Sequence, residues 1–154
     1  PSRVQRARQK ILDLLDTREE GVPGLVVFAG DAHVVPPLTD DTRTIANLNP
    51  ALSPAIMPQP AADATSAVAL AAEKKLTAGA QGGHILLMTD GLPGFEINRV
   101  RSALDDSGAS LAILGIGTTT GAPIPLPNGG FLKDNSGEIV IPALERDHLA
   151  TISQ

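Results

Sequence analysis

The chain contains no cysteine, tryptophan or tyrosine, and its only aromatic residues are Phe28, Phe95 and Phe131. The absence of cysteine excludes thiolate metal sites, cysteine nucleophiles and a disulfide framework. It leaves the compartment open, because a cysteine-free domain is safe in oxidising and reducing spaces alike. So few aromatic faces argue against a reader of single-stranded nucleic acid, which stacks bases on them. Positive charge is also scarce. The formal net charge is −5, and the one basic cluster, Arg3, Arg6, Arg8 and Lys10, reads as the solvated face of a helix, so no nucleic-acid partner is expected. No apolar run reaches the length needed to span a bilayer. The first residue is Pro1 rather than Met, and Gln154 falls inside a helical pattern. Both ends therefore read as cut ends of a longer protein, with one domain over 1–154.

What is present is the pattern of an α/β domain. Hydrophobic residues make up 42% of the 154 and charged residues 19%, enough for a buried core. Val4, Ala7, Ile11, Leu14 and Leu15 recur at helical spacing. Leu25-Val26-Val27-Phe28-Ala29 is a short apolar run of the buried-strand kind. Gly30-Asp31 is a turn signal, after which Ala32 to Val35 can return as an antiparallel edge strand, stopped by Pro36-Pro37. Thr39 is placed as the cap of the next helix, with Asp40 and Asp41 in its first turn. Four prolines between 50 and 62 mark an irregular loop. Asp63 or Thr65 then caps a helix with Val68, Ala72 and Leu76 as its stripe. Ile85-Leu86-Leu87-Met88 is a second buried strand, followed by a helix with Ile97, Val100 and Leu104. Leu111 to Ile116 is a third strand. Alternating strands and helices predict a mostly parallel sheet covered on both faces. From Ala122 to Ile141, turn signals at Asn128-Gly129-Gly130 and Asp134-Asn135-Ser136-Gly137 predict a β-hairpin elaboration. A last helix over 144–153 turns Leu149 and Ile152 inward.

Ligands of open α/β sheets bind at the carboxyl ends of the strands. Here those ends carry Gly30-Asp31, Thr89-Asp90-Gly91 and Gly117-Thr118-Thr119. The glycines from Gly115 to Gly121 do not make a dinucleotide fingerprint. The third comes one residue late, and Ala122-Pro123 follows where a helix should start. Asp90 is the strongest single candidate. A strand-end carboxylate followed by Gly can hold a divalent cation through oxygen ligation. No phosphate-binding Gly-x-x-x-x-Gly-Lys accompanies it, but a magnesium-dependent phosphotransfer or phosphohydrolase centre at Asp90 stays open as an alternative. His33, His84 and His148 fall in unrelated elements, and no pair has zinc-helix spacing.

Thr89-Asp90-Gly91 after its apolar strand resembles the fourth-strand signature of von Willebrand factor A (VWA) domains. Segments 1–10, 24–32, 37–41, Met57-Pro58, 115–125 and 131–134 are similar to one bacterial branch. That branch comprises the aerotolerance-type (Bat-like) membrane-anchored proteins, some fused to tetratricopeptide repeats. The resemblance implies a three-layer α/β/α, Rossmann-like fold whose first strand precedes Pro1 and lies between the strands at 25–29 and 85–89. Without that strand, two apolar edges are left unpaired, and residues 1–154 alone are expected to be poorly stable. The resemblance also implies a non-enzymatic protein-interaction module with a metal-ion-dependent adhesion site for Mg2+ or Mn2+. Of its ligands, one maps onto Asp90. The expected Thr of the second loop falls on Ala62, with Asp63 and Thr65 as substitutes, and the Asp-x-Ser-x-Ser of the first loop is absent. A partial or degenerate site that binds metal weakly or not at all is therefore expected, with a metal-free scaffold as its limit. The partner-binding rim would comprise Asp31, Thr89, Gly91 and Thr118. Implied partners are other proteins, including a MoxR-type AAA+ ATPase system and other VWA proteins. The implied location is the bacterial inner membrane, on its periplasmic side with the cytoplasmic face as the open alternative, anchored by segments outside this chain.

Overall fold

The structure, a computed structural model, describes residues 2–35, 38–52, 63–79, 83–105, 107–144 and 146–152. Helix α1 (Arg3–Thr17) is followed by strands β1 (Val26–Ala29) and β2 (Asp31–Val34), helix α2 (Thr42–Leu48) and a 3-10 turn at Asn49–Ala51. Helix α3 (Ala64–Thr77), strand β3 (His84–Thr89), helix α4 (Gly94–Asp105), strand β4 (Ser110–Gly115) and helix α5 (Arg146–Ile152) complete the order. The mixed α/β class expected from the alternating pattern is thus found. The expected stops at Pro36-Pro37 and most of the proline-rich loop (53–62), with Ala62, lie outside the described residues.

The single mostly parallel sheet expected from the alternating pattern is corrected, while the unpaired edges expected at 25–29 and 85–89 are found among the described residues. Among the described residues there are two separate two-stranded sheets. β1 and β2 pair antiparallel, from Val26 with Val34 to Ala29 with Asp31. β3 and β4 pair in parallel, from His84 with Ser110 to Thr89 with Gly115. The ladder continues one step past the strands, where Ile116 N donates to the Thr89 carbonyl at 2.8 Å. The physical reason for two sheets is simple: no described segment lies between β1 and β3 to carry hydrogen bonds across. Helix α3 rests on β1, β2 and β3 and so links the two sheets by packing alone.

Local chemistry sets the helix ends. Ser2 Oγ accepts from Gln5 N while Gln5 Oε1 accepts from Ser2 N at 2.7 Å, a reciprocal cap for α1. α2 is capped by Asp41, not Thr39: Asp41 Oδ1 accepts from Arg43 N at 3.0 Å. Thr39 sits too early and instead accepts from Asp41 N. Asp63 caps α3, as one of the two expected residues.

The core is built from α3, α4, α5 and β3. Ala64, Val68, Leu87, Leu92, Val100, Leu144 and Leu149 are all buried together. Phe28 of β1 and Ile113 of β4 pack against them. Two expected inward residues turn out. Leu14 of α1 is 44% exposed and Leu76 of α3 is 54% exposed. The buried stripe of α3 instead runs Ala64, Ala67, Val68, Ala72 and Lys75. The aliphatic stem of Lys75 takes the inward place, and its ammonium donates to the Ser107 carbonyl at 3.0 Å.

After β4, residues 122–141 form the expected hairpin-like extension, held by antiparallel bridges of Pro125 with Phe131 and Lys133 with Ile139. The Asp134 turn is tied by its own carboxylate, which accepts from Ser136 and from the Glu138 amide. The chain then returns as a strap through Pro142 to Leu144, whose amide donates to the Thr118 carbonyl at 3.0 Å. Gly121 must be glycine here. Its φ is +67°, and a Cβ would stand 2.7 Å from the Pro142 carbonyl oxygen.

Candidate docking rim at the strand ends

The parallel register carries Asp90 to the crest of β3, directly after Thr89, level with the exit of β4 at Ile116-Gly117. Its side chain is 55% exposed. Thr89 is buried, and its hydroxyl is spent locally, donating to the Gly91 carbonyl at 2.6 Å and accepting from the Gly91 amide. It fixes the turn. Gly91 therefore acts through its backbone. Thr118 is exposed beside the crest, and its carbonyl holds both Gly121 N and Leu144 N. Asp31 is exposed as well but opens β2, on the sheet that shares no ladder with β3 and β4.

A side chain that sequence reasoning placed among solvated charges completes this crest. Arg3 Nη1 donates to Asp90 Oδ2 at 2.6 Å, and its Nη2 donates to the Pro142 carbonyl. The basic cluster is thus not uniformly a solvent face. No local signal in the sequence marks a pairing across 87 positions. With Asp90 half exposed, the pair contributes at most about 1 kcal/mol to stability.

Asp63 and Thr65 are brought together elsewhere. With Ser66, Asn98, Arg99 and Ser102 they line an open cleft of about 460 Å³ between the start of α3 and α4. Asp90 is not among its lining residues. Both carboxylate oxygens of Asp63 are engaged by Ser66, Oδ1 by its amide at 2.9 Å and Oδ2 by its hydroxyl at 2.6 Å. These bonds, with the positive charge of Arg99, hold the Asp63 carboxyl below the ordinary carboxylate range. Thr65 Oγ1 is buried and meets no hydrogen-bond partner among the described residues. A further buried carboxylate, Glu96 of α4, accepts from Ala64 N at 3.1 Å and so adds a second cap to α3. Sequence reading passed over Glu96, because an acid in the first turn of a helix is ordinary and its reach across to α3 is tertiary.

A magnesium ion does not fit this arrangement. Among the described residues no group of three or more His, Asp or Glu side chains comes together. Asp90 Oδ2 accepts from a guanidinium, both Asp63 oxygens accept from Ser66, and the Thr89 hydroxyl bonds to Gly91. Octahedral oxygen ligation needs several free donors converging on one point.

No family model and no curated protein matches the sequence. Solved structures do. An aerotolerance-related membrane protein from Bacteroides fragilis superposes with a TM-score of 0.87 at 30% identity, covering 99% of this chain and 77% of that one. The chain belongs to the aerotolerance-related Bat family. A second structure, the conserved hypothetical protein BatB from Bacteroides thetaiotaomicron, gives a TM-score of 0.85 at 26% identity, covering 99% of this chain and 76% of that one. Within this Bat-family chain, no described helix is long and apolar enough to cross a membrane.

Proposed function

We propose that this chain is a protein-interaction module of a bacterial membrane-associated assembly, with a VWA-like layered fold and the Asp90 crest as its docking rim. The observation that carries the reading is kinship over nearly the whole chain with an aerotolerance-related membrane protein. It is joined to a strand-end crest where Asp90 and Thr118 stand exposed. Strand ends of α/β sheets are the usual place for recognition. The adhesion site is degenerate: its one confident ligand, Asp90, pairs with Arg3 rather than standing free. The role is binding rather than catalytic. The partners we propose are other proteins at the periplasmic face of the inner membrane, a MoxR-type AAA+ system and further VWA-like proteins among them. A phosphotransfer centre at Asp90 gains no support from a carboxylate already engaged by a guanidinium.

The test is site-specific photo-crosslinking in bacterial membranes. A photoreactive residue at Thr118 is expected to give discrete protein adducts. The same residue at Ser110, at the opposite end of β4, is expected to give none. Equal labelling at both ends, or no adduct at Thr118, would remove the rim from the account.

A further inference from the structure

Residues 107–132 contain no charged side chain, the longest such stretch in a chain whose net charge is −5. The second half of that stretch builds the first turn of the hairpin-like extension, where every residue from 122 to 139 is exposed. Apolar side chains stand open to solvent there: Ile124 is 38% exposed, Leu126 37%, Phe131 46% and Leu132 39%. Pro125 and Phe131 pair across the hairpin and so share one face, while Ile124 and Leu126 turn to the other. A groove on a partner covers one face of such a hairpin, whereas an apolar medium covers both. The outer edge is as unusual as the faces. The Ile124 carbonyl accepts from Leu132 N at 2.9 Å and Leu126 N donates to the Gly130 carbonyl at 3.1 Å, so these two residues bond inward. Successive residues of a strand turn their backbone polar groups to opposite edges. The outward positions are therefore Pro123, Pro125 and Pro127, none of which has an N–H. A strand added along this edge would find no donor. The same edge enters an apolar medium without stranding a donor. The acids of the extension, Asp134 and Glu138, flank its second turn, at the far end of the strand that begins at Phe131.

We propose that the proline-edged segment Pro123–Pro127 is a lipid-contact edge, which lies edge-on in the interfacial layer of a phospholipid bilayer. Ile124, Leu126 and Phe131 then meet the upper acyl chains, and Lys133 of the neighbouring strand stays at headgroup level on its aliphatic stem. At that depth water still reaches the three proline carbonyls. The contact goes beyond the Asp90 rim and does not depend on it. A body of net charge −5 is repelled by anionic headgroups, so the attraction comes from apolar burial, which salt does not screen.

The chain has no tryptophan, so Phe131→Trp carries a lone indole at the site. Phe95→Trp, at a residue 69% exposed on α4, carries one elsewhere. Each is titrated with vesicles of phosphatidylethanolamine and a minority of phosphatidylglycerol, with and without brominated acyl chains, at low and high salt. The indole at 131 is expected to shift to the blue and to be quenched by the brominated chains at both salt levels. The indole at 95 is expected to do neither. Leu126→Asp in the Phe131→Trp background is expected to weaken vesicle partition at least about tenfold. No response at 131, equal responses at 131 and 95, a response abolished by high salt, or unchanged partition of a folded Leu126→Asp overturns the proposal. Should Leu126→Asp fail to fold, the two indole variants decide alone. A photoreactive residue at Leu126 in bacterial membranes separates lipid from protein as the occupant. Lipid adducts support the proposal, and a discrete protein adduct without lipid overturns it. Loss of the Thr118 adducts with the response at 131 intact would sink the docking reading and leave the lipid contact standing.

Discussion

Around β3, seven side chains close into one apolar core, whereas along the fifteen residues of α1 none is completely buried. The first region is held by area removed from water. The second keeps Val4, Ala7, Ile11 and Leu15 only half-buried and adds polar contacts at its edges: Arg3 on Asp90 and Pro142, and the buried Asn49 amide donating to the Arg8 carbonyl at 2.9 Å. Even those contacts are imperfect. Asn49 Oδ1 and Arg8 Nε are buried with no hydrogen-bond partner among the described residues, which costs free energy. Strong amphipathic periodicity thus does not guarantee deep burial. An open groove lined by Arg6, Gln9 and Lys10 of α1 and by Leu114, Gly115, Ile116 and Gly117 of the β4 end lies beside the helix, so its apolar residues stay half-buried.

The sharpest way to break this contrast is to truncate a leucine on each side. Leu92, 1% exposed, is expected to cost about 2–5 kcal/mol as Leu92→Ala in urea denaturation. Leu14→Ala on α1 is expected to stay within about 0.5 kcal/mol. Comparable losses for the two variants would show that α1 is as deeply anchored as the core. Next in size is the strap that joins the two regions. Gly121→Ala must hold an alanine at positive φ against the Pro142 carbonyl, and a loss of about 1–2 kcal/mol is expected from the conformation alone. An unchanged thermal midpoint would mean that the strap moves freely. The smallest effect concerns the cap of α3. Asp63→Ala is expected to cost about 1 kcal/mol, and the native contribution has a definite pH dependence. The folded carboxyl titrates below its unfolded value. Its stabilisation is therefore complete above the ordinary carboxylate range and disappears as pH falls through the lower folded value. A variant whose deficit against the native protein stayed constant down to strongly acidic pH would contradict that origin.

Much of the framework was legible in residue patterns because it is local. The apolar runs at 25–29, 85–88 and 111–116 became β1, β3 and β4, and Gly30-Asp31 turned the chain into β2 as an antiparallel neighbour. Helix α4 kept its expected inward residue Val100. The register of α3 was harder. A helix rich in alanine offers weak contrast between its faces, so Leu76 looked inward on spacing while Lys75 took the place in fact. Sheet assembly was only partly legible. Apolar runs announce strands but not their neighbours, so the alternating pattern alone pointed to one sheet, whereas the family resemblance already left the edges at 25–29 and 85–89 unpaired, and β1 and β3 do not meet. Of the candidate site, Asp90 was found at the crest as expected, since a strand end followed by Gly is a local signature. Its partner Arg3 was not found, because charge pairing between distant segments leaves no periodicity to read.

Helix α3 leans on β1, β2 and β3 at once. Two sheets without a common ladder therefore share one helix as their girder. A change that shifts this helix is therefore expected to move one sheet against the other, and Asp31 against Asp90, without touching a hydrogen bond in either ladder.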